Sequence, residues 1–292
     1  MRTLTYTALE TDVGRTVLSV LRREMHLSGS LIRRLKYHDG LFLDGRPVHT
    51  DVRMNPGQRL EARFAGTEAA GADADGAVNI RYRDEDVLIV EKPAPLPAIA
   101  SARQSGDSLE RRLTGWMGEA DYVYRPVNRL DKGTSGLMAV ALNPYAQDRL
   151  QRALHTDGFV RRYLAVVEGH LPRSEGTVCQ PIGRGEGVRR VIDPSGKPSV
   201  THYRVLEETA DRSLVMLRLE TGRTHQIRVH MQSLGCPVAG DYLYGAPLAA
   251  LPGRFALHAA FIGFFHPVTG QWLERESPLP PELRALMTPD LR

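Results

Sequence analysis

Asp131 stands out for its setting. It lies in Arg125-Pro-Val-Asn-Arg129-Leu-Asp131-Lys-Gly-Thr-Ser-Gly-Leu137, a loop rich in Gly, Thr and Ser that runs into the apolar stretch Leu137–Leu142. No second carboxylate, cysteine or pair of metal-ligating side chains sits beside it in that segment. A single carboxylate presented on a loop suits attack on one bound group, or removal of one proton from it. Gly133 and Gly136 let the backbone bend, and Thr134 and Ser135 bring hydroxyls able to hydrogen-bond a carboxylate. Ordinary turns use Asp too, so chemistry at Asp131 requires further groups around it.

Two distant segments offer them. Arg228 lies in Leu219-Glu-Thr-Gly-Arg-Thr-His-Gln-Ile-Arg228-Val-His230, near the start of a helix. A basic group held close to a lone acid keeps it ionised at neutral pH, which a nucleophile or base needs. Tyr163 lies in Val160-Arg-Arg-Tyr163-Leu-Ala-Val-Val-Glu-Gly169. A phenol offers a stacking face and a polar oxygen to a flat ring. His225, His230, Asp241, His258 and His266 invite thought of a metal, but none forms the i, i+4 histidine pair with an intervening Glu that marks a helical zinc site. The expectation is no metal and no cofactor.

The elements that must position these groups follow from spacing. Val87–Val90 is a continuous apolar run and predicts a buried strand. Pro93, Pro95 and Pro97 forbid a helix after it. Leu137–Leu142 predicts a strand, Asn143-Pro144 a helix start, and Ala146, Leu150 and Leu154 the buried side of that helix, up to Gly158. Val160–Gly169, Val200–Leu206 and Leu214–Glu220 predict strands. Thr224 is expected to cap a helix with Ile227, Met231 and Leu234 inward and Gly235 as its stop. Strands outnumber helices without regular alternation, which predicts an α+β fold with a mostly antiparallel sheet.

Residues 65–77 are small, polar and acidic, with too little apolar surface to pack, and are expected to be a flexible linker between units 1–64 and 78–292. In the first unit, Val13, Val17, Leu21 and Met25 recur at helical spacing. Ser30 is expected to cap a second helix carrying Leu31, Ile32 and Leu35, with Gly40 as its stop. Leu41–Leu43, Asp44-Gly45 and Arg46–Val48 predict a hairpin, and Asn55-Pro-Gly57 a turn before Leu60–Phe64. Arg22, Arg23, Arg33, Arg34 and Lys36 occupy the polar side of the helix pair. Residues 1–64 hold 11 Lys/Arg against 7 Asp/Glu, the densest positive charge in a chain of net charge +4. With a pI of about 9.2, a polyanionic partner is favoured over an acidic one. Cys179 and Cys236 form neither a zinc pattern nor a disulfide framework. No apolar run approaches 18 residues, and no export signal is read at the start. A cytoplasmic, monomeric protein with no membrane association and no protein partner is expected.

Several motifs resemble one family. Arg129-Leu-Asp131-x-x-Thr134-Ser135-Gly136 resembles the catalytic motif of the RluA/RluD-type pseudouridine synthases, in which the Asp isomerises a uridine within folded RNA. Gly222-Arg-Thr-His-Gln-Ile-Arg228-x-His230 resembles that family's third motif, whose final Arg pairs with the catalytic Asp. Tyr163-x-Ala165-x-Val167-x-Gly169 resembles the segment of its active-site tyrosine. The helix–helix–hairpin plan of residues 12–64 resembles the RNA-binding module first named in ribosomal protein S-four. Departures are Asn128 in place of His, Pro95 and Ile99 in place of Gly and His, and Arg161 in place of Lys. None touches Asp131, Tyr163 or Arg228; they bear on contacts near the cleft rim.

The resemblance implies a mixed sheet with flanking helices and a central cleft, and an enzyme that makes pseudouridine in structured ribosomal or transfer RNA. Asp131, Tyr163 and Arg228 would be catalytic, with Thr134 and Ser135 near the substrate. The motif arginine, Arg129, would fill the space left when the target nucleotide flips out of its stack, a step costing a few kcal/mol. The competing readings are a catalytically silent RNA-binding or ribosome-assembly factor and a metal-dependent phosphoesterase using the His/Asp set.

Overall fold

Residues 2–64, 78–100, 106–118 and 122–288 are described by a computed structural model of the chain. The expected linker, 65–77, lies outside the described residues.

The first unit opens with a strand the spacing analysis did not anticipate. In β1 (Arg2–Thr7) half-buried and exposed residues alternate, as on a strand with one covered face. Thr16 caps α1 (Val17–Arg23) by accepting from Ser19 N at 3.2 Å. Val13, expected on the buried face, precedes the cap and is exposed. The cap of α2 (Gly29–Tyr37) is Ser28 rather than Ser30: its hydroxyl accepts from Leu31 N at 3.2 Å, and Ser30 already lies within the first turn. Asp39, not Gly40, takes the left-handed conformation after the helix. Gly40 is small for a different reason: a Cβ there would lie 2.5 Å from the Arg63 carbonyl oxygen and 2.6 Å from Leu35 Cδ2. The hairpin of β2 (Leu41–Leu43) and β3 (Arg46–Pro47) turns at Asp44 and Gly45 with φ of 50° and 77°, both positive as a type I′ turn demands. With β4 (Arg59–Phe64) these strands form an antiparallel sheet in the order β1-β4-β2-β3. Val17, Val20, Leu21, Leu31, Ile32, Leu35 and Leu60 make its core.

That core is closed by the second unit. Tyr145 is buried in it and Val268 packs against it. Arg2 forms ion pairs with Glu85 at 2.6 Å and Asp86 at 2.9 Å, and Asp86 is almost wholly buried.

The second unit runs β5 (Asn79–Arg83), β6 (Val87–Lys92), α3 (Leu109–Met117), β7 (Ser135–Ala141), α4 (Pro144–Ala153), β8 (Phe159–Glu168), β9 (Glu175–Cys179), β10 (Ile182–Arg184), β11 (Arg190–Ile192), β12 (Val200–Glu208), β13 (Arg212–Leu219), α5 (Gln226–Ser233), β14 (Leu257–Phe265), β15 (Trp272–Glu276) and α6 (Pro281–Arg284). Among the described residues a nine-stranded sheet follows the order β5-β6-β7-β14-β8-β13-β12-β9, with β15 also on β14; β10 and β11 pair separately. Every pairing is antiparallel except β7 with β14. This is the mixed, mostly antiparallel α+β architecture the strand-rich pattern predicts.

Alternate residues of β6 and β7 feed two cores. Leu88, Val90, Met138 and Val140 face the one that holds α3 and α5. Val87, Ile89, Leu137 and Ala139 face the one beneath α4. A strand apolar on both faces reads as a continuous run, which is why β6 was visible in sequence. Asn143 caps α4 as expected, accepting from Ala146 N at 2.9 Å. Thr224 does not cap α5. The N-cap is His225, at φ 59° and without a side-chain cap bond. The turn is held instead by Gln226, whose Oε1 accepts from Arg223 N at 2.9 Å and Thr221 Oγ1 at 2.8 Å.

Candidate active site

The loop carrying Asp131 is fixed from three sides. Leu96 N donates to the Lys132 carbonyl, Thr134 N to the Asp131 carbonyl, and Phe255 N to the Gly133 carbonyl. Gly133 lies flat on the Phe255 ring, where a Cβ would come within 2.5 Å of Cε1. Gly136 is needed twice over: φ is 110°, and a Cβ would sit 2.3 Å from the Ala259 carbonyl oxygen, where β7 crosses β14. Close approach, rather than bending alone, explains both glycines.

Lys92, fully buried at the end of β6, adds a cross-tie. Its Nζ donates to the carbonyls of Pro93 at 2.9 Å, Leu96 at 2.7 Å and Lys132 at 3.4 Å. Burial pushes its pKa down to about 7, against the opposing charge of Asp131. Three carbonyl acceptors match the three donors of an ammonium, so the contacts favour the charged form.

Asp131 faces a cleft of about 620 Å³, and its side chain is 28% exposed there. Arg228 reaches it from α5: Nη1 donates to Asp131 Oδ2 at 3.1 Å. The rest of the guanidinium is locked. Nε and Nη2 donate to the two oxygens of Asp241 at 2.6 and 2.8 Å. The Phe255 and Tyr244 rings lie 4.2 and 4.9 Å from the guanidinium carbon. Asp241, wholly buried, also accepts from Leu243 N and Tyr244 N. Burial alone would lower the pKa of Arg228, but the hydrogen bonds and charge of Asp241 and then of Asp131 outweigh it, and the net shift is upward. The acid therefore faces a permanent cation that cannot swing away.

His225 and Tyr163 complete the lining around the acid. His225 Nε2 stands 3.9 Å from Asp131 Oδ2, and Nδ1 shares a 2.9 Å hydrogen bond with the Tyr244 hydroxyl. Burial lowers the pKa of His225, so its neutral form prevails at pH 7. Tyr163, on β8 opposite Leu217 and Ala259, is 6% exposed, and burial raises its pKa so that it stays a phenol. Asp131, Tyr163 and Arg228, separated by up to 97 positions, thus line one cleft.

The other expected residues divide. Arg129 lines the cleft, is exposed, and makes no hydrogen bond or ion pair among the described residues. Thr134 lines it too, but its hydroxyl is not bonded to Asp131. Ser135 departs from expectation. It is buried, and its Oγ lies 2.9 Å from His258 Nδ1 while accepting from Arg254 Nη2 at 3.0 Å, so it braces β7 against β14. Side chains alternate along a strand, and Ser135 is the first residue of β7, which turns it away from the carboxylate. Arg22, Arg23, Arg33, Arg34 and Lys36 are exposed on the first unit, outside the cleft. Arg34 approaches the second unit at Arg125, whose pKa is lowered by burial and then by that like charge.

The histidines considered as metal ligands are scattered among hydrogen bonds. His230 bonds Thr201 and the Gln180 carbonyl, His258 bonds Ser135 and Ser277, and His266 bonds Asp84. One grouping with ligand-like spacing is Asp84, Asp86 and His266. There the Asp84 carboxylate already accepts from Asp86 N, Val87 N, the Tyr82 hydroxyl and His266. The sequence offered Asp241 only as a candidate metal ligand and did not place Lys92 at the site. Nothing local tied Asp241 to the arginine it holds, 13 positions away. Lys92 was visible only as the residue before Pro93.

Comparison with known proteins agrees with this geometry. The profile of RNA pseudouridylate synthases matches residues 86–233. The chain is 38% identical over 253 residues to the uncharacterized RNA pseudouridine synthase YlyB of Bacillus subtilis, covering 84% of each chain. It is 35% identical over 294 residues to ribosomal large subunit pseudouridine synthase D of Vibrio cholerae, covering 94% of this chain and 86% of that one. Among solved structures it is similar to human RNA pseudouridylate synthase domain containing 1, with a TM-score of 0.58 and 30% identity over 73% of this chain and 90% of that one.

Proposed function

The chain belongs to the RNA pseudouridylate synthase family, of the RluA/RluD type, and is a pseudouridine synthase; we propose that it acts on a uridine in structured RNA of the large ribosomal subunit, flipped out of its stack into the Asp131 cleft. Ribosomal rather than transfer RNA is favoured by the name of the Vibrio cholerae relative. The observation that carries the assignment of chemistry to Asp131 is its 3.1 Å contact with an arginine that Asp241 holds rigidly.

Arg22, Arg23, Arg33, Arg34 and Lys36 grip phosphates from the first unit, which serves as the RNA-binding module. Arg129, unpaired at the lip, enters the space the target base leaves. The base stacks on Tyr163. Asp131, fixed in place by Arg228, either attacks C1′ of the ribose or takes the proton from C2′. Both routes break the C1′–N1 bond. The uracil then turns and C5 bonds to C1′, displacing the Asp131 carboxylate in the first route and with return of the proton from Asp131 to C2′ in the second; the C5 proton is released, and N1 takes a proton. The sum is redox-neutral. We place its action in the cytoplasm, as a monomer; the free thiols of Cys179 and Cys236 fit a reducing compartment.

Asp131→Asn tests the assignment. Tritium release from RNA carrying 5-tritiated uridine is expected to fall below detection while RNA binding persists. Turnover retained by the variant would refute the role given to Asp131.

A further inference from the structure

Arg161 is a buried cation without a counter-ion among the described residues. It lies on β8, is 5% exposed, and lines the same cleft as Asp131. Its Nη2 donates to the Leu154 carbonyl at 3.1 Å, at the end of α4. Nε has no partner, and Nη1 makes no hydrogen bond among the described residues. Burying a guanidinium without an acid is costly, and an anion brought to it would offset that cost.

The surroundings are cationic as well. His155 lies near both Arg161 and Arg223, and its pKa is lowered first by burial and then by those two charges. Arg223 Nε donates to the Pro198 carbonyl, and its remaining donors have no acid among the described residues. The nearby acids are turned elsewhere: Glu220 accepts from His202 at 2.6 Å, and Asp157 from Arg218 at 3.0 Å. Asp131 pairs with Arg228 rather than with Arg161. His155, Gly222 and Gln151 are exposed above it, so this end of the cleft is rim rather than floor. A base is read deep in a pocket, whereas the sugar–phosphate chain passes over the rim.

We propose that Arg161, with Arg223 beside it, forms a phosphodiester subsite that holds the RNA backbone next to the flipped uridine. A guanidinium offers the paired donors that phosphate oxygens accept. The subsite rests on the reading of the chain as an RNA-acting enzyme and adds a defined contact to it. It also gives the replacement of Lys by Arg at this position a role, since the fork can bond Leu154 and a phosphate together.

The test uses the full chain and total RNA labelled with 5-tritiated uridine, taken from cells whose gene for this protein is deleted. Tritium release and filter binding are measured across salt concentrations. Arg161→Met is expected to raise KM at least about tenfold with kcat within about twofold. It should also lower the slope of log K against log salt by about 0.7 to 0.9, the value of one phosphate contact. Arg161→Lys should keep the slope. Gly222→Asp places a carboxylate where a Cβ is 3.1 Å from Arg161 Nη1, supplying the missing counter-ion. It should preserve Tm and raise KM by a similar factor, which covers the case in which Arg161→Met fails to fold. An unchanged salt slope in Arg161→Met, an unchanged KM in Gly222→Asp, or a loss confined to kcat overturns the subsite. If the wild type binds this RNA but releases no tritium, the isomerase reading fails, and the salt slopes still judge the phosphate contact.

Discussion

Asp241 holds Arg228 through two nitrogens, at 2.6 and 2.8 Å, and so turns the third toward Asp131. The acid proposed to do the chemistry and the acid that aims the arginine are different residues. One is 28% exposed in the cleft, and the other is wholly buried. A guanidinium bridging the two spends its bidentate grip on the buried acid and offers the cleft acid a single hydrogen bond.

Removing that aim should therefore be nearly as harmful as removing the arginine. Asp241→Asn leaves a buried guanidinium short of its counter-ion, which costs about 3–5 kcal/mol. Displacing Nη1 by about 1 Å costs on the order of a hundredfold in rate. Thermal melting and tritium release are expected to show both losses, and a variant with wild-type kcat would contradict the aiming role.

Gly136 should tolerate no side chain. Gly136→Ala puts a methyl 2.3 Å from a backbone oxygen at a φ of 110°, and neither β7 nor β14 can yield without breaking the pairing between them. A loss of more than about 4 kcal/mol, or insoluble protein, is expected in denaturant titration. Gly270→Ala, with open space around its Cβ, serves as the comparison for a positive-φ glycine; the loss there should be about 1 kcal/mol.

Acid should unfold the protein in a specific window. His258 is fully buried and its pKa is lowered, first by burial. Ser135 Oγ accepts from Arg254 and can donate its own proton to His258 Nδ1, while His258 Nε2 donates to Ser277, which donates to Glu91. The chain of donors fits a neutral imidazole and leaves no place for a second ring proton. Since the folded pKa lies below the unfolded one, the unfolded state binds the proton first. The contribution to stability is whole above about pH 6.5 and is lost as pH falls from there toward the folded value, at up to about 1.4 kcal/mol per pH unit. Tm measured from pH 7.5 to 5 should drop below pH 6.5, and His258→Gln should flatten that drop.

The basic helix pair should govern affinity and leave chemistry alone. Arg33→Ala with Arg34→Ala removes two exposed charges outside the cleft. The salt slope of RNA binding should fall by about 1.4–1.8, with kcat at saturating RNA unchanged. A changed kcat with an unchanged slope would place these arginines outside the RNA-binding surface.

Local signals were legible wherever a residue type is demanded by its own backbone. Asp44-Gly45 announced its turn because both positions need positive φ, and Asn143-Pro144 announced α4 because cap and first turn each favour those residues. Where two residues of one type compete, spacing could not choose. Ser28 and Ser30 both suit a cap, and the entry of the chain into α2 selects the first. Thr224 lost its capping role to a left-handed His225 pinned by Tyr244, a contact made across 19 positions.

The sequence by itself determined the strand-rich fold and the acid, phenol and arginine that meet in the cleft, because motifs and hydrophobic periods are short-range properties written into neighbouring residues. Tertiary structure alone decided that Asp241 aims Arg228, that Lys92 ties the Asp131 loop to the proline loop, that Ser135 braces a strand crossing, and that Arg161 is left without an acid. Those facts depend on which donors and acceptors are brought together as water is excluded. That follows from packing many elements at once and leaves no mark on any single stretch of chain.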